Sequence, residues 1–489
     1  MTKQSNLALF AIILGIFVMV ADQSGLMVAL PSISEHFQSD LPTTQWILIA
    51  YVLAVSVSLL PMGSVSDLIG HKKVYSMGFG ILCVTTLMAG FSPSIFWLIA
   101  ISFVRGIGAG MTQGTSMALI VSVFGSKSGG RALGVFISAV GLGSVLGSIM
   151  GGYVVSTFSW KILFFLLSFT GLAAVLSGVL FLRPDDSKGW SIRGLRFDWI
   201  GAFLFTSGLA SFLQGMTWSQ DLGYGNPAII AVFLLSGISF IAFVIREFKV
   251  ELPLMDLRHF RRRLFSSGIG SAFLFFMGNS PVFFFMPFYL QIVLGYSPSQ
   301  IGLMVAAPSL IMAAVGTVSG QYADRFQPSI FTAAGLAIGA LGLFILANLG
   351  VNSSWVLGLS GMVISSFGMG VFYGPNNKLI LSAVSPDSHG VVSGFIHLVR
   401  NSANVISIAM GILIVTSSMS SMGFAPTLAG LSYETEAPVL SSFVKGMKFC
   451  FGIAGGVLLL GFLVAVYGGK YREIETEKSV TTVVKQEVL

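Results

Sequence analysis

Again and again this chain runs for about twenty residues with almost no charge, the length an α-helix needs to cross the hydrocarbon of a bilayer, and short polar joints separate the runs. Barrel strands would show ten-residue segments alternating with period two, and these runs do not. Within lipid every backbone amide must be satisfied internally, so a bundle of membrane helices is the class that remains. Composition agrees: 54% of residues are hydrophobic and 9% charged, against about 25% charged in a soluble domain. The first run, Phe10 to Pro31, is too long for the apolar core of a signal peptide and reads as a retained span.

Fourteen spans are expected, near residues 7–30, 44–65, 74–92, 96–123, 131–156, 160–182, 199–218, 226–248, 265–294, 299–322, 329–350, 354–378, 389–416 and 442–468. Gly63-x3-Asp67 closes the second and Gly320-x3-Asp324 the tenth, a half-repeat of the kind that marks secondary transporters. The simplest division is a six-helix half at 1–182, an inserted helix pair with its linkers at 183–262, a second six-helix half at 263–469, and a tail at 470–489 expected to be loosely ordered. Lys72, Lys73, Lys127, Arg131, the basic stretch Arg258 to Arg263, Arg325 and Lys470 fall on one side of this arrangement. By the positive-inside rule both termini are cytoplasmic in a cell membrane. The net charge of +7 therefore sets topology and does not mark a nucleic-acid partner. Cys83 and Cys450 lie in apolar runs without ligand spacing, so neither a metal nor a disulfide is expected. No phosphate-binding G-x4-G-K-[ST] run or catalytic triad occurs, no cofactor is called for, and an enzyme is not expected. The energy for any transport must come from an ion or substrate gradient.

Five positions well inside the apolar runs carry full or potential charge: Asp22, Arg105, His397, Arg400 and, nearer the cytoplasmic end, Lys378. A charge near the middle of a span costs roughly 2.5 to 3.5 kcal/mol on insertion scales, so each is a candidate functional group. Asp22 has Val18 and Leu26 one turn away. Burial works against its charge and a nearby arginine would work for it, an opposition suited to a group that takes up and releases protons. A permanent salt bridge is the bland alternative. His397, Arg400, Asn401 and Asn404 recur at helical spacing, as do Ser102, Arg105, Thr112, Gln113 and Ser116, and each set reads as a polar stripe toward a cavity or a neighbouring helix. Gly278, Pro281 and Pro287 predict an interrupted ninth span, with Asn279, Tyr289 and Gln291 as polar contacts; Tyr373, Asn376 and Asn377 add to them from the twelfth. Phe283 to Phe285 with Met286 offer an adaptable apolar wall, or simply face lipid.

Several motifs recur in a set order: Asp22 with Val28-Ala29-Leu30-Pro31; Gly63, Asp67, Gly70, Lys72 and Lys73; Gly134, Gly143, Gly147, Gly151 and Gly152; Leu294-Gly295-Tyr296-Ser297-Pro298; and Gly394-Phe395 with Arg400-Asn401. Together they resemble the major facilitator superfamily, and within it the fourteen-helix drug:proton antiporter branch. Ser148 stands where the fifth-span motif usually has proline, and Arg105 stands one turn beyond the arginine position of the fourth. The resemblance implies an all-α integral membrane protein of two pseudo-symmetric six-helix halves plus two inserted helices. It implies proton-coupled efflux of amphipathic small molecules by alternating access, with Asp22 as the proton-coupling group, protons and a small-molecule substrate as partners, and a monomer in the bilayer. The loop holding Asp67 implies a cytoplasmic latch, closing on the helix start after Ser385-Pro386-Asp387-Ser388 or on Arg131. Two alternatives stay open: a carrier of anionic or zwitterionic metabolites or lipids, suggested by Asp22 against Arg105, Arg400 and His397, and a non-transporting membrane sensor.

Overall fold

The computed structural model describes residues 3–39, 41–182, 198–222, 225–250, 253–296, 298–424 and 436–487, with side chains left out at some of these positions, notably 124–131 and 469–487. Every regular element among them is helical. In chain order they are α1 (Lys3–Phe37), α2 (Leu41–Ile69), α3 (His71–Gly90), α4 (Ile95–Thr157), α5 (Trp160–Phe181), α6 (Trp199–Leu222), α7 (Pro227–Lys249), α8 (Arg263–Phe288), α9 (Pro298–Ala323), α10 (Pro328–Leu346), α11 (Trp355–Ser382), α12 (His389–Ser421) and α13 (Ala437–Glu487). Thirteen segments of the described residues are long and apolar enough to cross a membrane. The remaining expected span corresponds to α6, whose last side chains are largely outside the description.

Local chemistry fixes the helix starts. The Ser94 hydroxyl accepts from the Trp97 amide at 3.3 Å to cap α4, and Ser159 caps α5 through Lys161 in the same way. Asn226 caps α7 at 2.9 Å from the Ala228 amide, with Pro227 in the first helical position where its missing N–H costs nothing. Between α2 and α3 the chain turns at Gly70, whose φ of 104° is one that side chains rarely adopt.

The fourth and fifth expected spans run on in one continuous helical stretch of 63 residues, which if straight would reach about 95 Å, three bilayer cores. Contacts with α1 show that it is not straight. Between Arg105 and Thr112 the chain runs antiparallel to α1, with Arg105 on Asp22 and Thr112 on Met19. Between Gly143 and Gly151 it runs parallel, with Gly143 on Phe17, Gly147 on Ala21 and Gly151 on Gly25. The direction therefore reverses between Thr112 and Gly143, and Ile95–Val123 and Ala132–Thr157 are separate crossings.

The chain forms two compact units, one of Met1–Leu257 with Ser385–Asn401 and one of Arg258–Val384 with Ser402–Leu489. Glycine brings the helices of each unit together where lipid supplies no hydrophobic drive. In the first unit a Cβ at Gly147 would lie 2.5 Å from Ala21 Cα, and one at Gly108 2.7 Å from the Gly78 carbonyl. Gly134 is buried in the same helix, whereas Gly152 meets nothing closer than Val28 at 3.8 Å. The pair α6 and α7 is pinned at one end by Asp198 against Arg246 at 2.7 Å, and Glu247 accepts from the Leu254 and Met255 amides at the linker that follows. In the second unit Gly335 and Gly342 of α10 abut Gly368 and Ser365 of α11, and Phe275 of α8 stacks on Phe372 of α11 at 4.2 Å.

Two expectations fail. The ninth span is not interrupted at Gly278–Pro281: α8 passes through Pro281 and Pro287 unbroken, and the irregularity comes after it, as a π turn at Tyr289–Val293. Proline at 281 cannot bond the Met277 carbonyl, and the Ser407 hydroxyl of α12 donates to that carbonyl instead. The tail, expected to be loosely ordered, continues α13 as far as Glu487; no glycine or proline follows Gly469 to stop it.

The glycine seam makes a graded prediction. Gly147→Val forces a side chain into the backbone of α1 and should cost at least about 1–3 kcal/mol, read as a lower Tm of the purified protein, while Gly152→Ala should leave Tm near its starting value. Equal Tm values for the two variants would remove the seam from the account.

Candidate functional site

Asp22 and Arg105 are each almost wholly buried, at 1% and 0% exposure. The Arg105 Nη2 donates to Asp22 Oδ1 at 2.6 Å and also reaches Oδ2. Its Nε donates to the Thr86 hydroxyl of α3 at 3.2 Å. The guanidinium lies between two rings, with its carbon 5.6 Å from the centroid of Tyr51 on α2 and 5.1 Å from that of Phe164 on α5. Five helices thus surround one ion pair. Small residues next to the charges make this possible: Gly106, beside Arg105, abuts the Tyr51 backbone, and Ala21, beside Asp22, abuts Gly147. The neighbourhood is not saturated, because Arg105 Nη1 and the Tyr51 hydroxyl are buried without a hydrogen-bond partner among the described residues. The sequence singled out Asp22 and Arg105 as charges; Tyr51, Thr86 and Phe164 carry no charge within an apolar run and gave no signal.

A second cluster lies at the other end of α2. The Asp67 carboxylate accepts from the Gly390 and Val391 amides, both at 2.7 Å. These are first-turn N–H groups of α12, which have no partner within their own helix and carry the positive end of its dipole. The Pro386–Ser388 stretch is a 3-10 turn and α12 proper begins at His389, which sets those two amides facing Asp67. Gly63 allows the approach, since a Cβ there would lie 2.5 Å from the Gly390 carbonyl. His71 reaches Asp67 at 3.7 Å and shares a 3.0 Å hydrogen bond with Ser66. Lys72 donates to the Val179 carbonyl at the end of α5 at 2.8 Å, a cation at a helix C-terminus. Lys73 has interactions of its own, and the side chain of Arg131 lies outside the described residues. Asp324, in the matching position of the half-repeat, makes a different bond: Lys378 of α11 donates to it at 2.5 Å and to the Ala323 carbonyl at 3.0 Å.

The other candidates divide. In the first unit Gln113 and His397 are buried, as is Ser393, which the sequence did not single out, and Gln113 Oε1, Ser393 Oγ and both His397 ring nitrogens lack a partner among the described residues. Arg400 and Asn401 are half-buried beyond His397 on α12, Arg400 with interactions of its own. In the second unit Asn279 accepts from Ser365 and sits 3.7 Å from the sulfur of Met369, and Asn404 accepts from Ser280 at 2.5 Å. Tyr289 donates to the Gly350 carbonyl at 2.8 Å, and Asn376 to the Gly268 carbonyl at 3.1 Å, bonds that tie helices together. Asn377 is buried, Tyr373 is buried with its ring edge-on to Phe276, and Gln291 is exposed on the π turn. Of the Phe283–Met286 stretch only Phe283 is well exposed; Phe285 fills the space over Gly411.

The sequence profile of the Major Facilitator Superfamily matches residues 12–408. The riboflavin transporter RibZ of Clostridioides difficile is 28% identical over 98% of this chain and 100% of its own length. The cephamycin export protein CmcT of Amycolatopsis lactamdurans is 30% identical over 86% of this chain and 87% of its own. The crystal structure of the human organic anion transporter MFSD10 (TETRAN) superposes with a TM-score of 0.64 over 95% of this chain and all of that one, at 16% identity, a likeness of fold.

Breaking the buried pair from one side strands a charge. Asp22→Asn or Arg105→Met alone should destabilise by about 3–5 kcal/mol, and the double variant should recover much of that loss. Thermal unfolding of the four proteins in one detergent measures it, and strictly additive losses would mean that the two groups do not act as a pair.

Proposed function

The chain belongs to the Major Facilitator Superfamily and is a multi-pass membrane transporter, not an enzyme, and from that premise we propose that it exports amphipathic small molecules from the cell in exchange for protons. The observation that carries the reading is the buried Asp22–Arg105 pair. A proton placed on Asp22 cancels the counter-charge of Arg105 and leaves a cation in an apolar interior. That arrangement costs several kcal/mol until the helices move and admit water or a hydrogen-bond acceptor. Proton uptake and conformational change are then linked, as alternating access requires. A proton moving down the membrane potential supplies about 2.3 kcal/mol per 100 mV, enough for tenfold or greater accumulation. Cephamycin export and riboflavin transport, named for two relatives, support an organic solute. The side that carries Lys72, Lys73 and the termini is the cytoplasmic one in this reading, the membrane is the cell membrane, and the protein works as a monomer.

In the same reading Asp67 is the cytoplasmic latch, engaged when it holds the first amides of α12. Water can satisfy both the carboxylate and the amides once they part, so the latch opens without stranding a group. A carrier of anionic or zwitterionic metabolites is the second reading, favoured by the unpartnered Arg105 Nη1.

Proteoliposomes test the coupling. With the lumen made acidic, outward flow of protons should drive riboflavin, or an amphipathic dye chosen by screening, into the vesicles, and Asp22→Asn should abolish the drive while leaving passive binding. Solute movement indifferent to the imposed gradient would exclude proton coupling. For the latch, spin labels at the exposed positions Leu68 and Asp387 should report a new, longer distance in Asp67→Asn. An unchanged distance distribution together with unchanged transport would sink it.

A further inference from the structure

Gln113 on α4 and Ser393 and His397 on α12 are 6%, 0% and 2% exposed. Gln113 Oε1, Ser393 Oγ and both nitrogens of His397 make no hydrogen bond among the described residues. Native interiors rarely leave so many polar atoms unpaired, because each forfeits the bond it would have in water. The helices that carry them converge. α4 and α12 meet α2 at one carbonyl, that of Leu59: a Cβ at Gly114 would lie 2.9 Å from it, and one at Gly394 would strike it. Gln113 precedes the first of those glycines and Ser393 the second, so both flank the same junction, and His397 continues the Ser393 face by one turn.

What such a junction can take follows from its chemistry. A glutamine amide, a serine hydroxyl and a neutral imidazole each offer both a donor and an acceptor, and none carries a charge. Among the described residues, the buried carboxylates of the first unit are engaged: Asp22 and Asp198 in ion pairs with Arg105 and Arg246, and Glu247 by two backbone amides. Asp67, half-buried, holds the α12 amides. A permanent cation would lose its water here and find no free buried carboxylate among the described residues to pair with, and Arg400 is one turn beyond His397. A ligand edge with alternating donors and acceptors would satisfy the atoms that the protein leaves unpaired.

Resting on the transporter reading above, we propose that Gln113, Ser393 and His397 form a substrate subsite for an uncharged hydrogen-bonding edge, an amide, imide or heteroaromatic ring edge, and that the protein discriminates against permanent cations.

Equilibrium binding to the full-length protein in lipid nanodiscs tests this with three probes: lumichrome, uncharged with an imide edge; tetraphenylphosphonium, a permanent cation; and fluorescein, an anion. Lumichrome should bind, followed by its own fluorescence, and tetraphenylphosphonium should not displace it. Gln113→Leu and His397→Phe should each weaken lumichrome about tenfold or more, while His397→Asn, which keeps a donor and an acceptor, should retain most of the affinity. The apolar variants remove atoms that have no partner in the protein, so Tm should not fall, which separates a lost ligand contact from a damaged fold. Tetraphenylphosphonium binding as tightly as lumichrome overturns the proposal, as does lumichrome affinity unchanged in both apolar variants, fluorescein binding in preference to lumichrome, or binding of none of the three. Equilibrium binding needs no gradient, so these failures leave proton coupling standing, and a loss of gradient-driven flux leaves the subsite standing.

Discussion

An ion pair sunk in an apolar medium is held there only if the surrounding structure leaves it no better arrangement, and Asp22–Arg105 imposes that condition on the first unit. Both charges are buried, so neither can exchange its partner for water without a movement of whole helices. The residues that close the site are the ones that let backbones touch. Gly106 lets α2 reach Arg105 and present the Tyr51 ring, Gly147 lets the second crossing of α4 press on Ala21, and Gly108 brings α3 and its Thr86 within reach. The glycine spacing of the fifth span, read from sequence as a family motif, is in physical terms the wall against which the Asp22 helix is clamped. Ser148, standing where that motif usually has proline, does not disturb the seam, because the contacts are made by the glycines on either side of it.

The fold was legible because lipid permits so few alternatives. Run length gave the helices, and isolated charges gave Asp22 and Arg105. Arg105, one turn from the position that the resemblance implies, still meets Asp22, since a displacement of one turn keeps the same helix face. What sequence could not supply were the neutral partners: Tyr51, Thr86 and Phe164 look like any other residues of an apolar run. The break expected in the ninth span failed for a related reason. Proline announces a missing hydrogen bond, but whether the freed carbonyl distorts the helix depends on a partner far along the chain, here Ser407. Likewise the signals of a helix start at Ser385–Ser388 pointed to the right neighbourhood, and the intervening 3-10 turn decided that Gly390 and Val391 are the donors.

The half-repeat shows how one spacing supports two kinds of bond. Gly63-x3-Asp67 and Gly320-x3-Asp324 both place a carboxylate at the end of a helix. Asp67 is met by backbone amides and Asp324 by an ammonium group. An amide pair at a helix start is fixed in place and bonds a carboxylate only at one position of the helix; a lysine on four methylenes follows its partner through small movements. In the proposed cycle the first bond is therefore the one suited to distinguish between conformations, and the second is a tether that tolerates them. Sequence symmetry between the halves does not imply that both carboxylates act as switches.

The chemistry of Arg105 joins these features. Its Nη2 and Nε are engaged and its Nη1 is not, so even with Asp22 charged the guanidinium retains one unsatisfied donor. When Asp22 is neutralised, the electrostatic part of its bond to Nη2 is lost as well, and the requirement for an acceptor rises sharply in a medium that screens poorly. Water can supply that acceptor only if the site opens. In the proposed exchange, the protonation state of Asp22 thus sets what the guanidinium needs, and that is sufficient to link proton uptake to a conformational change without any direct contact between the proton and the solute. The proposed uncharged subsite at Gln113, Ser393 and His397 complements this arrangement: the Leu59 carbonyl at its junction is on the α2 helix that also carries Tyr51, and a ligand held there by neutral hydrogen bonds would leave the charge balance of Asp22 and Arg105 to the proton alone.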